Sequence, residues 1–159
     1  MTANAKSLPN QANLATSEVP VDLPKVVDVT FKLEQGITTW SCSPDSFEDG
    51  ASSFEVKYRL SPDSTPGWSF SQITVEDPNT PPAWTFNYPN DADTDTYEDP
   101  GLMKITGFSL APTLISFFVS NYNHTAMPQA VSVKLTVSNS ENVSYTSPDP
   151  QIILEPRPH

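Results

Sequence analysis

Five acidic residues lie within nine positions in one segment of the chain, residues 91–99. Carboxylate oxygens at such alternating positions are the hard ligands that Ca²⁺ requires. The segment departs from the EF-hand pattern, because Thr96 stands at the position of the glycine and Leu102 at the position of the bidentate glutamate. Two interpretations stay open, a solvated acidic loop, which is the simpler one, and an irregular calcium loop. The candidate ligands of the calcium loop are Asp91, Asp93, Asp95, Glu98 and Asp99.

Four aromatic side chains form a second candidate set, for binding carbohydrate. Indole and phenol rings stack against sugar rings when they gather outside a protein core. Each of the four lies in a strand-like run beside apolar residues, and sandwich cores use Trp in the same way, so core packing is the interpretation that we favour. The candidate carbohydrate-binding residues are Trp40, Trp68, Trp84 and Tyr88.

Few side chains could act as a general acid or base near neutral pH. The chain has two histidines, His124 in a predicted loop and His159 at the last position. A serine triad also needs an activated serine, and no Gly-x-Ser-x-Gly motif occurs. A carboxylate pair for glycoside hydrolysis could be drawn from many acids, but nothing in the sequence selects one. We therefore assign no catalytic residue and predict that the protein is not an enzyme.

The charge balance argues against two classes of partner. The chain has 8 Lys and Arg residues against 19 Asp and Glu residues, a formal net charge of −11. Nucleic-acid binding needs cations that replace the counterions of phosphates, and anionic membrane surfaces repel an acidic chain. We therefore predict neither nucleic acid nor a membrane as a partner and, apart from calcium, no cofactor.

Cysteine usage and the first residues bear on the cellular compartment. Cys42 is the only cysteine, so neither an internal disulfide nor a cysteine-based zinc site can form. The first residues lack the apolar run of a secretory signal peptide, and no run is long and apolar enough for a membrane span. These features predict a cytoplasmic protein, with leaderless secretion as the alternative.

The elements that must position these residues are short strands. In residues 54–60 every second side chain is apolar, and the residues between them are Glu, Lys and Arg. This alternation is typical of a strand with one buried face and excludes an all-parallel sheet. About eight to ten such strands are separated by turn-forming residues. The apolar parity changes within residues 68–75, which either a β-bulge near Gln72 or a strand boundary at a different position would explain.

The strands predict an all-β fold, an antiparallel β-sandwich of immunoglobulin-like topology, with a closed β-barrel as the alternative. The predicted organisation is a flexible N-terminal arm at residues 1–24, a sandwich domain at 25–156 and a tail at 157–159. The arm is either a plain tail or a segment that docks on a neighbouring subunit. Residues 43–50 and 90–101 are predicted to be loops because turn formers and acids dominate them.

The C-terminal segment, residues 149–156, has an Asp-Pro pair and a Glu-Pro pair on either side of a short apolar run. It resembles the DP-EP family, small bacterial proteins named for these two pairs. The resemblance covers only this segment and implies no activity. From the residues themselves, Pro150 and Pro156 bracket a last edge strand and limit its pairing, which either protects that edge or, in the interpretation we favour, simply ends the strand.

The functional hypothesis rests on what the sequence lacks, because no catalytic set, nucleotide-binding loop or cationic patch stands out. The leading hypothesis is a non-enzymatic β-sandwich module that binds another protein or assembles with itself as a homo-oligomer. A calcium- or carbohydrate-binding domain of lectin type is the alternative. A hydrolase with carboxylate chemistry ranks last.

Overall fold

The computed structural model describes residues 23–79, 84–87, 96–148 and 150–157, and this part of the chain forms strands and no helix. It accordingly contains no helix that is long and apolar enough to cross a membrane. The strands are β1 (Lys25–Glu34), β2 (Ile37–Ser43), β3 (Ser46–Asp49), β4 (Ser53–Leu60), β5 (Ser69–Glu76), β6 (Trp84–Asn87), β7 (Tyr97–Asp99), β8 (Met103–Ala111), β9 (Leu114–Asn121), β10 (Gln129–Ser138), β11 (Ser144–Thr146) and β12 (Gln151–Leu154).

The strands form two sheets that share one hydrophobic core. The first sheet has the order β2-β1-β4-β9-β8-β7. The second has the order β3-β12-β10-β5-β6, and β11 pairs with the end of β10 that β12 leaves free. In the described residues no pairing joins the two sheets into a closed ring. The structure is therefore the predicted sandwich and not the alternative barrel.

Two of the strand pairs are parallel, which corrects the prediction of purely antiparallel sheets. β1 lies parallel to β4, and β3 lies parallel to β12. Parallel neighbours need a crossover connection rather than a tight hairpin. The chain supplies one by leaving the first sheet after β2, forming β3 in the second sheet and returning to the first sheet as β4.

The strand order is that of an immunoglobulin-like sandwich. In that fold one sheet carries strands A, B, E and D, and the other carries G, F and C, with C′ beyond C in the variable type. The order β4-β9-β8 matches B-E-D, and the order β12-β10-β5-β6 matches G-F-C-C′. The β1–β2 hairpin takes the place of strand A beside β4. The predicted immunoglobulin-like topology is confirmed, with a hairpin added at one edge of the first sheet.

Side-chain alternation builds the core as predicted. In β4, Phe54, Val56, Tyr58 and Leu60 are buried, and the residues between them are exposed or half-buried. The other central strands, β1, β9 and β10, also turn apolar side chains into the shared core. Burial of these alternating faces is the main favourable term that holds the sheets together.

The parity change in β5 is a bulge. Thr136 in β10 faces Gln72, whereas Val137 faces Phe70, so Ser71 is the extra residue on β5. A bulge rotates the strand so that residues on both sides of it can face the core. The prediction of a bulge near Gln72 is confirmed.

Three short strands differ from the predictions. β3 and β7 lie within the segments that were predicted to be loops. β12 is paired on both sides, with β10 and with β3, so the prediction that it is an edge strand is wrong. Pro150 and Pro156 flank it as expected. The strand that pairs with its other side is β3. The sequence did not predict β3, because turn-forming residues dominate that segment.

Gly107 occupies a second irregularity, where the pairing of β8 with β9 shifts between Thr106 and Ser109. Its φ is +64°, and a Cβ atom there would lie 2.9 Å from Cδ2 of Phe118. We expect Gly107→Ala to lower the free energy of unfolding by about 1–3 kcal/mol, because alanine is strained at positive φ and the ring must move. Urea denaturation of the wild type and the variant measures this difference in the free energy of unfolding.

The matched control for this substitution is Gly101→Ala. A Cβ atom at Gly101 would meet Oδ1 of Asp99 at 3.6 Å, an ordinary contact. We expect this variant to differ from the wild type by less than about 0.5 kcal/mol. Equal losses in the two variants would contradict the strained geometry at Gly107.

Candidate functional site

The β1–β2 hairpin is closed by the two-residue turn Gln35-Gly36, in which φ is +54° and +78°. Positive φ at both central positions is the signature of a type I′ turn, whose twist matches that of the flanking strands. In such a turn the N–H of Ile37 donates a hydrogen bond to the carbonyl oxygen of Glu34. The sequence supplies these conformations because glycine adopts positive φ without strain.

The turn fixes the direction in which each main-chain group of β2 points. Opposite residues in an antiparallel pair alternate between hydrogen-bonded and non-hydrogen-bonded pairs. Glu34 and Ile37 form a hydrogen-bonded pair, and the register runs without a shift from there to Asp28 and Ser43. The N–H and C=O groups of three residues therefore point away from β1. These residues are Thr38, Trp40 and Cys42.

β2 is the outermost strand of the first sheet, and no strand in the described part of the chain pairs with its outer side. Its seven residues, ITTWSCS, carry no charge and no proline. Natural proteins usually protect exposed edges with charges, prolines, bulges or short strands. Among those protections, β2 has none along its length. Within the described residues, its outer edge therefore has neither a strand partner nor one of these protections.

A groove runs along this edge, between β2 and the polypeptide that links β11 to β12. Near Cys42 it holds a cavity of about 350 Å³ that Trp40, Asp45, Pro148 and Pro150 also line. Beside the first half of β2 a more open depression is lined by residues that include Thr38, Thr146 and, again, Trp40 and Pro148. We call this continuous depression the β2 groove.

Trp40 forms the apolar floor of the β2 groove and is held by an aromatic cluster. Its ring centroid lies 4.9 Å from that of Phe31, which is fully buried. Phe31 also contacts Trp68 at 5.1 Å, and Tyr145 lies 5.4 Å from Trp68. Trp40 and Trp68 are half-buried and pack against the core. Packing against Phe31 and the core holds one side of the Trp40 ring in place, and the other side of the ring faces the β2 groove.

Of the four predicted carbohydrate-binding residues, the three that the structure describes do not form one cluster. Trp84 belongs to a second cluster, with Phe108 at 5.3 Å and Tyr97 at 5.8 Å. In the described residues no ring contact joins this cluster to that of Trp40 and Trp68. Tyr88 lies outside the described residues. Carbohydrate binding by this set stays a prediction.

The predicted calcium ligands are only partly described, because Asp91, Asp93 and Asp95 lie outside the described residues. Glu98 is exposed on β7, and Asp99 is half-buried. Within the described ranges no three His, Cys, Asp or Glu side chains are close enough to hold a metal ion. Calcium binding stays a prediction.

Asp77, which sequence analysis did not select, lies beside Asp99. Its side chain is almost fully buried and accepts hydrogen bonds from the Tyr97 hydroxyl at 2.6 Å and the Asn79 N–H at 2.8 Å. Burial raises the pKa of Asp77, and the Asp99 carboxyl raises it further, although the two hydrogen bonds oppose the shift. Asp77 and Asp99 are distant in the sequence, so no sequence signal could have paired them.

This pair predicts a pH-dependent change in stability for Asp99→Asn. Because the folded pKa of Asp77 is raised, its contribution to stability is present below the unfolded pKa and is lost as pH rises through the folded pKa. Removing the Asp99 charge removes one cause of the raised pKa of Asp77, so less stability is lost at neutral pH. We expect the melting temperature to rise by about 2–4 °C near neutral pH, as for roughly 1 kcal/mol in a chain of this size, and the gain to shrink near pH 4.

Glu98→Gln is the control, since it removes an exposed charge from the same strand without touching Asp77. Thermal scans with calcium extend the test to the calcium hypothesis. If Asp99 is a ligand, excess calcium stabilises the wild type and not Asp99→Asn. A neutral-pH loss of stability in Asp99→Asn without calcium would contradict repulsion between the two carboxylates.

The remaining titratable groups of interest are not arranged for nucleophilic chemistry. Burial, with a smaller effect of Asp45, raises the pKa of Cys42 to about 11, so the thiolate is scarce at neutral pH. Burial also raises the pKa of Tyr58. His124 is exposed, and its Nδ1 lies 3.4 Å from the main-chain oxygen of Arg157. None of these groups adds a reactive centre to the β2 groove.

Comparison with known proteins gives a distant structural likeness. No family model matches the chain, and no curated protein matches it. Among solved structures, the chain is similar to murine CRIg, with a TM-score of 0.47 and 12% sequence identity over 72% of this chain and 94% of that chain. The resemblance of residues 149–156 to the DP-EP family stays a prediction.

Proposed function

We propose that the chain is a non-enzymatic β-sandwich module that binds protein by adding an extended strand to the outer edge of β2. One observation carries the proposal: the outward main-chain groups of Thr38, Trp40 and Cys42, with which no described strand pairs, form a row directly beside the β2 groove. In strand addition, main-chain hydrogen bonds supply affinity and pockets for alternate side chains supply specificity. The edge and the groove provide both.

The β2 groove determines which side chains an added strand can carry. Alternate side chains of that strand point to the inner face of the sheet, where they meet Trp40, Pro148 and Pro150. These three side chains are apolar, although Asp45 and Lys134 also line the groove, and the cavity near Cys42, of about 350 Å³, has room for a large side chain. We expect apolar residues at every second position of a bound segment. The other positions face solvent and tolerate polar residues.

Amide exchange measured by NMR tests the geometry and the function together. In the free, monomeric protein the amides of Thr38, Trp40 and Cys42 are expected to exchange rapidly, while those of Thr39 and Ser41 are protected by β1. Displayed libraries of extended peptides then supply binders. A binder that adds to β2 protects the three outer amides. Binders that protect amides elsewhere and leave β2 unchanged would contradict the proposal.

Thr38→Pro is the variant that separates the edge from the fold. Proline removes one outward N–H and leaves the bonds between β1 and β2 in place, because proline is tolerated where the donor faces away from the sheet. Peptide affinity is expected to fall at least about tenfold, the effect of 1.4 kcal/mol. Circular dichroism checks the fold. Unchanged affinity in a folded variant would count against strand addition.

A further inference from the structure

We propose that the strand added to β2 is the β2 strand of a second copy of this chain, in antiparallel orientation about a two-fold axis at Trp40. The inference rests on the proposed function and names its occupant. A two-fold interface uses the same surface on both copies. β2 has an odd number of residues with Trp40 at its centre, so this axis pairs the strand with itself over its full length.

The main-chain groups fit this register. With Trp40 opposite Trp40 of the second copy, Thr38 lies opposite Cys42. These are the residues whose N–H and C=O groups point outward, so each opposed pair is a hydrogen-bonded pair. The three pairs give about six main-chain hydrogen bonds across the axis. A shift by one residue would oppose groups that β1 already uses, and it would also place side chains on the wrong face.

The side chains match on both faces of the joined sheets. On the outer face, Thr39 lies opposite Ser41 of the second copy in a non-hydrogen-bonded pair, where side chains are closest and two hydroxyl groups can bond. On the inner face, the Trp40 rings of the two copies meet at the axis, and the two β2 grooves join there. Aromatic pairs across strands are favourable. The inner face of the interface therefore carries Thr38, Trp40 and Cys42, and its outer face carries hydroxyl groups.

Charge selects the edge at which a second copy can pair. Each copy carries a net charge of −11, so two copies meet best where the paired strands carry no acids; Asp45, which lines the groove near Cys42, lies beyond the end of β2. β3 carries Glu48 and Asp49, and β7 carries Glu98 and Asp99, so self-pairing at either edge would bring acids of the two copies close together. A basic partner would be drawn to those edges instead. β2 is the uncharged seven-residue edge, at which identical acidic chains can meet.

A charge-swap experiment tests the partner and the register together. Thr39 and Ser41 are exposed, so Thr39→Glu with Ser41→Glu leaves the core untouched and opposes glutamates across the axis. Thr39→Lys with Ser41→Lys opposes lysines in the same way. Sedimentation velocity over a concentration series should show dimers for the wild type and monomers for each double variant. Mixing the two variants should restore a dimer with one copy of each.

The matched control places the same glutamates on the other uncharged edge of at least four residues. Thr85→Glu with Asn87→Glu changes two exposed residues of β6, and this variant should dimerise as the wild type does. A wild type that stays monomeric at high concentration would overturn the inference. If such a monomer still binds peptides that protect Trp40, the proposed function survives and only the second copy is excluded.

Two other results would also overturn the inference. A dimer that the β2 glutamates leave intact would place the contact elsewhere, and loss of the dimer in the β6 control would place it on β6. Monomers that fail to combine when the glutamate and lysine variants are mixed would exclude the Thr39–Ser41 register. Melting temperatures of all variants show whether each remains folded. Self-pairing through β2 is supported only if both β2 double variants are monomers, their mixture forms a dimer and the β6 control remains a dimer.

Discussion

Phe117→Ala is expected to lower the free energy of unfolding by about 3–5 kcal/mol, whereas Phe118→Ala should lower it by about 1 kcal/mol or less. The two residues are neighbours on β9 and differ in which face they occupy. Phe117 is fully buried, with its ring 5.3 Å from that of Phe108 and parallel to it within 5°. Phe118 is 47% exposed on the outer face of the first sheet. The large loss reflects lost burial plus the cavity that remains.

Urea denaturation followed by tryptophan fluorescence measures both values. Adjacent residues of the same type share composition and local propensity, so the difference between them isolates burial. Circular dichroism at low denaturant checks that both variants keep their strands. Equal losses would mean that β9 does not present alternate faces to core and solvent. In that case the register of the whole first sheet would be wrong.

Side-chain parity made much of the fold predictable from the sequence. Alternation in residues 54–60 identified a strand with one buried face, and the structure buries Phe54, Val56, Tyr58 and Leu60 as expected. Parity even indicated the bulge, because burial on both sides of Ser71 requires an extra residue. These features are local. Each depends on residues two to four positions apart, which one sequence displays directly.

Sheet order depends on long-range pairing, and the sequence predicted it less well. β3 lies among turn formers and owes its place to parallel pairing with β12, at the far end of the chain. The same pairing removes β12 from the edge. Four residues of strand carry too short a pattern to be recognised alone, and no local signal reports the partner. Parallel pairs between distant segments were therefore missed.

The candidate site was unpredictable for the same reason. The uncharged composition of β2 is visible in the sequence, but its position at an edge is not. The β2 groove exists because Pro148 lies near Trp40, although the two are distant along the chain. Trp40 was selected for its chemistry and placed in a carbohydrate set. The structure places it beside the outer edge of β2, which no other described strand pairs with.

Asn123→Asp is expected to lower the free energy of unfolding by about 3 kcal/mol or more at neutral pH. Asn123 is fully buried, and its side-chain N–H groups donate to the main-chain oxygens of Leu154 at 2.8 Å and Met127 at 3.0 Å. Its oxygen accepts from the N–H and the hydroxyl of Thr125. An aspartate would still accept the two hydrogen bonds from Thr125. Its other carboxylate oxygen would place a buried negative charge against the main-chain oxygens of Leu154 and Met127.

The pH dependence and a matched control identify this cause. Burial beside carbonyl oxygens raises the pKa of an aspartate at this position, so the loss should be largest near neutral pH and should shrink as pH falls and the group takes up a proton. Asn139→Asp is the control, because the Asn139 oxygen accepts from Glu141 and Val143 and its loop is partly exposed. That change should cost less than about 0.5 kcal/mol. Equal losses in the two variants, measured by thermal unfolding, would show that the Asn123 amide does not hold β12 in the second sheet.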